Sequence, residues 1–491
     1  MNVAVVIPRI KMHPLSRSRL YSRDGRSSYV VFNCENSDFR WPWLPQTVPW
    51  ATNRPFMESR LAAHEEVGSG LFRTWMRIPS SPYLIAGVAL LLRFGWILLG
   101  HTYRFKSTDA NFGFGWEMGR IGASLASGHG FSNPFDTQTG PTAWEPPLYP
   151  YLTARVFGVF GIYSKTSAFV LLAFNSLCSA LTCIPIFLIA RRMFSIRVAV
   201  WSAWAWALLP NVMFWCTRWI WETSLSALLL ATIFWLALTM EDRDGWTPWF
   251  AFGLLWGVAA LNSTSLLSFL PAAGLWVWYR RAKQGKPSLA GVVLASVVFF
   301  ACLAPWLVRN YETFGKFIFI RDNFGAELRM GNGPGADGTW MEYLHPSQNV
   351  YAMRQYESMG ELAYIAMRRQ EAVDYIKADY ARFALLCIKR FVYFWAGSPK
   401  ATQPPWMNEA KNSLYLASSV LMFWGLVRAL RLRKPRAWLL FWLVLLFPAV
   451  YYVVFPAPRY RHPIEPEMTI LCVFLLTEIG KRTGPSEPDL P

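Results

Sequence analysis

FGWEMGRIGASLASGHGFSNPF (Phe114 to Phe135), followed by PTAWEPPLYPYL (Pro141 to Leu152), is the stretch on which the reading of this chain turns. It lies in a connector, His101 to Gly161, between two long apolar segments. A plain connector would be short and polar, whereas this one packs acids, glycines, aromatics and paired prolines together, the mark of a loop that carries function. Read as a helix from about Phe112 to Ala126, it sets Glu117 and Arg120 three apart and Ile121 and Leu125 four apart. One face is then polar and another apolar, which suits a helix lying along a membrane surface. Gly128 or Gly130 would close it, because glycine accepts the left-handed cap. Pro146 and Pro147 stiffen the next stretch and hold Glu145 outside helical geometry, so the following helix is expected only beyond Pro150. Each acid also has a plain reading: Glu117 paired with Arg120 on a wet face, and Glu145 in a rigid turn entering a helix.

Outward from this loop, composition sets the class. Of 491 residues, 54% are hydrophobic and 16% aromatic. Apolar runs without acids recur at the length needed to cross a bilayer as helices, about 17 to 25 residues. The net charge of +18 sits in the N-terminal region and in clusters flanking apolar runs, a pattern of membrane orientation and not of nucleic-acid binding. The seven cysteines form no CxxC pair, and Cys178, Cys183, Cys216, Cys302 and Cys472 lie within apolar segments as small hydrophobes. The histidines form no HExxH, so the sequence specifies no metal site, and it contains no GxSxG, P-loop or dinucleotide fingerprint.

Ten spans are expected: Tyr83–Gly100, Ser167–Ala190, Val198–Cys216, Thr223–Met240, Trp249–Leu261, Leu266–Tyr279, Ala290–Val308, Leu414–Val427, Ala437–Val454 and Met468–Ile479. Basic clusters RRMFSIR, RRAKQGKP and RALRLRKPR put their ends in the cytoplasm. Residues 101–165, 309–411 and APRYRHPIEPE (Ala457 to Glu467) then share the outer face. In 309–411, an amphipathic helix is expected over Glu361 to Arg382, and Ala381 to Gly397 should lie at the interface. Residues 1–80 read as a disordered basic cytosolic extension, 81–482 as the membrane domain and 483–491 as a short tail. No internal repeat is evident, which weighs against a transporter.

Several basic residues suit an anionic ligand. Arg459, Arg461 and His462 stand in a proline-bounded outer segment against the usual charge bias, where forked guanidinium donors match a phosphate. Arg309 is a similar outer site. Arg93 interrupts the first span, which indicates a polar cavity or backbone partners.

EMGRIGASLASGHGF (Glu117 to Phe131), TAWEPPLYPYL (Thr142 to Leu152), APWLVRNYETFG (Ala304 to Gly315) and RYRHPIEP (Arg459 to Pro466) together resemble the GT-C membrane glycosyltransferases, notably the bacterial relatives of protein O-mannosyltransferase and lipid A aminoarabinose transferase. The resemblance implies an all-α polytopic membrane protein: a GT-C-like bundle of about ten transmembrane helices with outer-face amphipathic helices and loops. It implies a sugar donor on a polyprenyl phosphate, an acceptor lipid, glycan or protein, and residence in the bacterial inner (plasma) membrane with an outer-face active site. It also implies a first-loop acid near the sugar carbon, assisted by the acid of the E-P-P arm. The family often carries Asp about one turn before Glu117, where this chain has Gly113 and Phe114, so Glu117 takes that role or Asp109 folds back. Arg459, Arg461, His462, Arg309 and Arg93 are then the candidate donor-phosphate ligands. The competing expectation is a transporter or lipid-linked glycan translocase without covalent chemistry.

Overall fold

Every one of the ten apolar segments falls on helix in the computed structural model, which describes residues 80–105, 113–286, 288–399 and 404–482. Asp109, the extension 1–79 and the tail 483–491 lie outside the described residues. Helices α1 (Pro82–Leu99) and α2 (Glu117–Ala126) are followed by α3 (Leu148–Phe160), α4 (Lys165–Leu181), α5 (Cys183–Met193), α6 (Ile196–Leu208) and α7 (Pro210–Arg218). Next come α8 (Thr223–Thr239), α9 (Thr247–Asn262), α10 (Leu270–Ala282), α11 (Leu289–Phe314), α12 (Phe324–Gly331), α13 (Val350–Met359), α14 (Glu361–Ala378) and α15 (Tyr380–Ala396). The chain closes with α16 (Pro405–Arg431), α17 (Ala437–Leu446), α18 (Ala449–Val453) and α19 (Glu465–Arg482). Among the described residues the only β pairing is the isolated bridge Ser132–Pro141.

Four helical stretches are long and apolar enough to cross a membrane: Pro82–Leu99, Lys165–Met193, Leu289–Phe314 and Pro405–Arg431. The α6/α7 pair makes a fifth when taken as one span, bent by 49°. The bend has a local cause. Leu209 is extended, φ −62° and ψ 121°, as the residue before a proline prefers, and Pro210 has no N–H to return to the preceding turn. Carbonyls opened in this way need donors from elsewhere, because hydrocarbon supplies none.

Arg93 supplies them. Its side chain is fully buried; Nη1 donates to Ala207 O at 3.1 Å and Ala89 O at 3.0 Å, Nη2 to Trp206 O at 3.3 Å, and Nε to Ser179 Oγ at 3.2 Å. The expectation that Arg93 meets a donor phosphate is thus corrected: its donors are directed to backbone and hydroxyl oxygen. Arg390 repeats the device, donating to Gly331 O, to Val453 O at 2.8 Å and to Tyr452 O at 3.2 Å beside the short α18.

The two ends of the bundle differ in chemistry. Glu241, just past α8 and nearly inaccessible, accepts from Arg280 Nε at 2.7 Å, Arg192 Nη2 at 3.2 Å and Arg436 Nε at 2.7 Å, so one carboxylate ties the ends of α5, α8 and α10 to the start of α17. At the other end of α8 stands Glu222, its N-cap residue. The 17 residues of α8 separate the two ends by about 26 Å.

Three local expectations are revised. The first-loop helix α2 begins at Glu117, because Gly115 and Trp116 turn with φ of +83° and +44°; Phe112 lies outside the described residues. Helix α3 begins at Leu148, ahead of Pro150, since proline within the first turn removes an N–H that has no intrahelical acceptor anyway. The amphipathic helix from Glu361 stops at Ala378, where Asp379 ends it and caps α15 by accepting from Arg382 N at 2.9 Å.

Replacing Arg93 by Met strands the Trp206 and Ala207 carbonyls in a water-free interior, at a cost of about 2–4 kcal/mol. Thermal unfolding of the purified protein in detergent should show a midpoint lowered by several degrees; an unchanged midpoint would mean that these contacts contribute nothing.

Candidate active site

The first-loop turn is shaped by its glycine. A Cβ on Gly115 would come 2.5 Å from Ile220 O, and Ile220 N donates to Gly113 O at 3.2 Å, so the turn is pressed against the segment leading into α8. Glu117 therefore opens α2 as a buried residue. Its Oε1 lies 3.0 Å from His345 Nε2. Because Ser347 N donates to His345 Nδ1 at 3.2 Å, the ring carries its hydrogen on Nε2 and donates it in a hydrogen bond to Glu117 Oε1. The rings of Trp116, Phe135, Trp144 and Trp340 surround this imidazole. Burial alone would raise the pKa of Glu117, yet its contact with His345, the hydrogen bond first, outweighs it, and the carboxyl ends below its usual value. Arg120 is not its ion-pair partner: the guanidinium reaches Asp136 at 2.6 Å and Ser347 Oγ at 3.2 Å.

Glu145 is held by its neighbours along the arm. Glu361, at the start of α14, accepts from Thr142 Oγ1, Ala143 N (2.6 Å) and Tyr356 OH (2.6 Å). Ala143 O in turn accepts from Asp322 N at 2.9 Å. Arg309 donates to Thr142 O and Phe131 O, both at 2.8 Å, with its guanidinium 4.8 Å from the Trp306 ring centre. Arg309 thus braces both halves of the first loop instead of presenting its donors to a phosphate.

On this frame the Glu145 carboxylate is buried, 3.8 Å from Arg321 Nη1. Burial pushes its pKa up to about 8 against the pull of Arg321, with Glu117, Glu222 and Glu327 adding repulsion. Arg321 also faces Glu327 at 3.6 Å. Arg459 lies flat on Trp221, 3.9 Å from the ring centre, with Trp219 and Tyr460 alongside. Burial lifts Glu222 to about 7 despite Arg459. Glu117, Glu145, Glu222 and Glu327 thus share one electrostatic neighbourhood with Arg321 and Arg459. Among the described residues, Arg321 Nε, Arg459 Nε and Glu222 Oε2 have no hydrogen-bond partner. Buried charges this loosely paired are more typical of functional sites than of structural ion pairs.

Of the expected residues, the structure brings together Glu117, Glu145 and Arg459. Arg461 turns away, its guanidinium 3.7 Å from the Tyr415 ring centre and hydrogen-bonded to Glu465 Oε1 (3.3 Å), Ser419 Oγ (3.2 Å) and Tyr415 O (3.2 Å). His462 bonds Glu465 Oε2 at 2.8 Å and stacks on Trp206. Both therefore join α19 to its neighbours, as corrections to the phosphate expectation. His345, Arg321, Glu222 and Glu327 were not anticipated. The available signals were weak: Glu222 follows RWIW, and Arg321 with Glu327 follows the aromatic run FIFI in an outer segment. Among the described residues, no group of three or more His, Cys, Asp and Glu side chains is placed to hold a metal ion.

Residues 144–308 match the family model described as dolichyl-phosphate-mannose-protein mannosyltransferase. The archaeal oligosaccharyltransferase AglB from Archaeoglobus fulgidus, solved with an inhibitory peptide and a dolichol-phosphate, superposes over 84% of this chain and 52% of its own, with 14% identity and a TM-score of 0.50. The chain has a GT-C-like fold, shared with AglB. It spans about half the length of AglB. ArnT from Cupriavidus metallidurans, bound to undecaprenyl phosphate, aligns over 82% of this chain and 78% of its own at 15% identity and a TM-score of 0.35. No curated protein matches the chain. On this GT-C scaffold the matched region begins at Trp144, next to Glu145, and ends at Val308, next to Arg309.

Replacing His345 by Phe keeps an aromatic ring in the cage but removes the hydrogen bond to Glu117. The carboxyl pKa then rises, and whatever activity depends on its anion should fail at higher pH on the acid side, by about one unit or more. A pH–activity profile, or carboxyl infrared titration, reads the shift; an unmoved acid limb removes His345 from this role.

Proposed function

We propose that this chain is an integral-membrane glycosyltransferase moving a sugar from a polyprenyl-phosphate donor to a lipid, glycan or protein acceptor. The observation that carries the proposal is a pair of buried carboxyls in one electrostatic neighbourhood with Arg321 and Arg459: Glu117, 3.0 Å from His345 Nε2 and held below its usual pKa, and Glu145, 3.8 Å from Arg321 and pushed up to about 8 by burial. Carboxyls with pKa values pushed apart are the signature of divided acid and base roles. The GT-C-like fold and the family match over 144–308 support the reaction class, and the dolichol-phosphate bound to AglB supports the donor class.

Glu117 Oε accepts the proton of the acceptor hydroxyl as that oxygen attacks the anomeric carbon. The bond from the anomeric carbon to phosphate oxygen breaks on the opposite side, its electron pair leaving with the phosphate, so the configuration inverts. Arg459, fixed by its stack on Trp221, and Arg321 stabilise the leaving phosphate in a site with little water. Protonated Glu145 sits against Arg321, where it can donate a hydrogen bond to the phosphate without adding a negative charge. Asp109 remains the alternative acid of the first loop. By the positive-inside rule the basic end would face the cytoplasm, and Glu222 stands at the opposite end of α8, which supports an outer-face site.

Membranes carrying Glu117→Gln should lose about 10²–10⁴-fold of transfer from a lipid-linked sugar, and Glu145→Gln, which imitates the protonated acid, should retain much more than Glu145→Asp. Full retention in both Glu117→Gln and Glu145→Ala would sink the assignment. In the unaltered enzyme, transfer should decline as pH rises through about 8, where Glu145 ionises, and Glu145→Gln should flatten that decline.

A further inference from the structure

At the basic end, between α8 and α9, a cleft of about 450 Å³ is walled by Thr232, Trp235, Leu236, Ala251 and Leu255 and bordered by Arg243, Asp244, Thr247 and Pro248. Its volume lies within the range of ligand sites, about 300–1,000 Å³. Its walls are apolar, and the one wall hydroxyl, Thr232 Oγ1, is turned inward to Leu228 O at 2.6 Å. The mouth has different chemistry. Arg243 is exposed, its guanidinium 5.4 Å from the Trp235 ring centre, and the described residues give that guanidinium no acidic partner. Asp244, the acid at the mouth, is already engaged by Arg281 at 3.4 Å and Lys286 at 3.3 Å.

The first turn of α9 also opens here, at Thr247 and Pro248, with no side-chain cap. Its N–H groups add a positive end of a helix dipole to the guanidinium. Around the mouth, Arg192, Arg280, Arg281, Lys286 and Arg436 meet Glu241, Asp242 and Asp244 in ion pairs, and Arg243 adds to an existing excess of positive charge. Trp246 beside the cleft is 62% exposed, as suits an indole at headgroup depth, where such rings collect. Basic pockets between membrane helices at this depth take anionic headgroups.

We propose that this cleft binds an anionic phospholipid of the surrounding bilayer, with its phosphate on Arg243 and the start of α9 and one acyl chain along the groove between α8 and α9. The site lies at the far end of α8 from Glu222, and its lipid takes no chemical part in the reaction proposed there. Occupancy would pack α8 against α9 and so steady the helix that carries Glu222 into the candidate active site.

The full chain, reconstituted in vesicles of equal phosphatidylglycerol and phosphatidylcholine, extracted and followed by native mass spectrometry, tests the proposal. The expected result is selective retention of phosphatidylglycerol through delipidation. Arg243→Gln, an exposed change, should lower that retention about five-fold and leave phosphatidylcholine unchanged. Ala251→Trp, which fills the apolar part, should bring phosphatidylglycerol down to the phosphatidylcholine level. Equal retention of both lipids by the unaltered protein overturns the proposal, as does undiminished selectivity in Arg243→Gln. Displacement of the lipid by soluble glycerol phosphate at matched concentration also overturns it, since the groove would then contribute nothing.

Discussion

A chain that breaks its helices inside hydrocarbon must find donors for the carbonyls it exposes, and this requirement governs the whole molecule. Arg93 meets it at the α6/α7 bend and Arg390 at α18. Arg309 meets the related need of the first loop, clamping Phe131 O and Thr142 O. Each guanidinium offers five N–H groups in a fixed fork and cannot shed its proton, so one side chain can serve several carbonyls at once. Most of the conspicuous arginines are therefore committed to backbone oxygen, and few remain for a ligand.

Arg321 and Arg459 are the exceptions at the candidate site. They are held by loose ion pairs and by an aromatic stack, not by carbonyls. Around them the environment divides the acids. His345 gives Glu117 a hydrogen bond that favours its anion, while Glu145 meets only a 3.8 Å guanidinium and the repulsion of other carboxylates. Two chemically identical side chains thus have their pKa values pushed in opposite directions at one site. The frame that keeps them apart is the Glu361 clamp, which reaches from α14 to Thr142 and Ala143 and stops the E-P-P arm from relaxing toward water.

Much of this was legible in the residues. The apolar runs are helices, the glycines end α2 where a left-handed residue is needed, and Glu145 does sit on a stiff proline arm. Boundaries failed where local turn chemistry competed with periodicity: Gly115 and Trp116 delayed α2, and Asp379 divided the amphipathic segment. Charge placement failed for another reason. A guanidinium beside a span looks the same in sequence whether it meets a phosphate, a carboxylate or a carbonyl, and Arg461 with Glu465 is the case in point.

The sequence by itself determined the helical membrane class, the acid-bearing first loop and the arginine-bearing last one, because these follow from hydropathy, turn residues and spacing along the chain. Only the tertiary structure decided which charges meet. His345 lies 228 residues from Glu117, Arg321 lies 176 from Glu145, and Glu361 lies 219 from Thr142. Separations of that size leave no periodic trace. Burial, which raises the pKa of Glu145, and the His345 contact, which lowers that of Glu117 against its own burial, exist only once those segments pack.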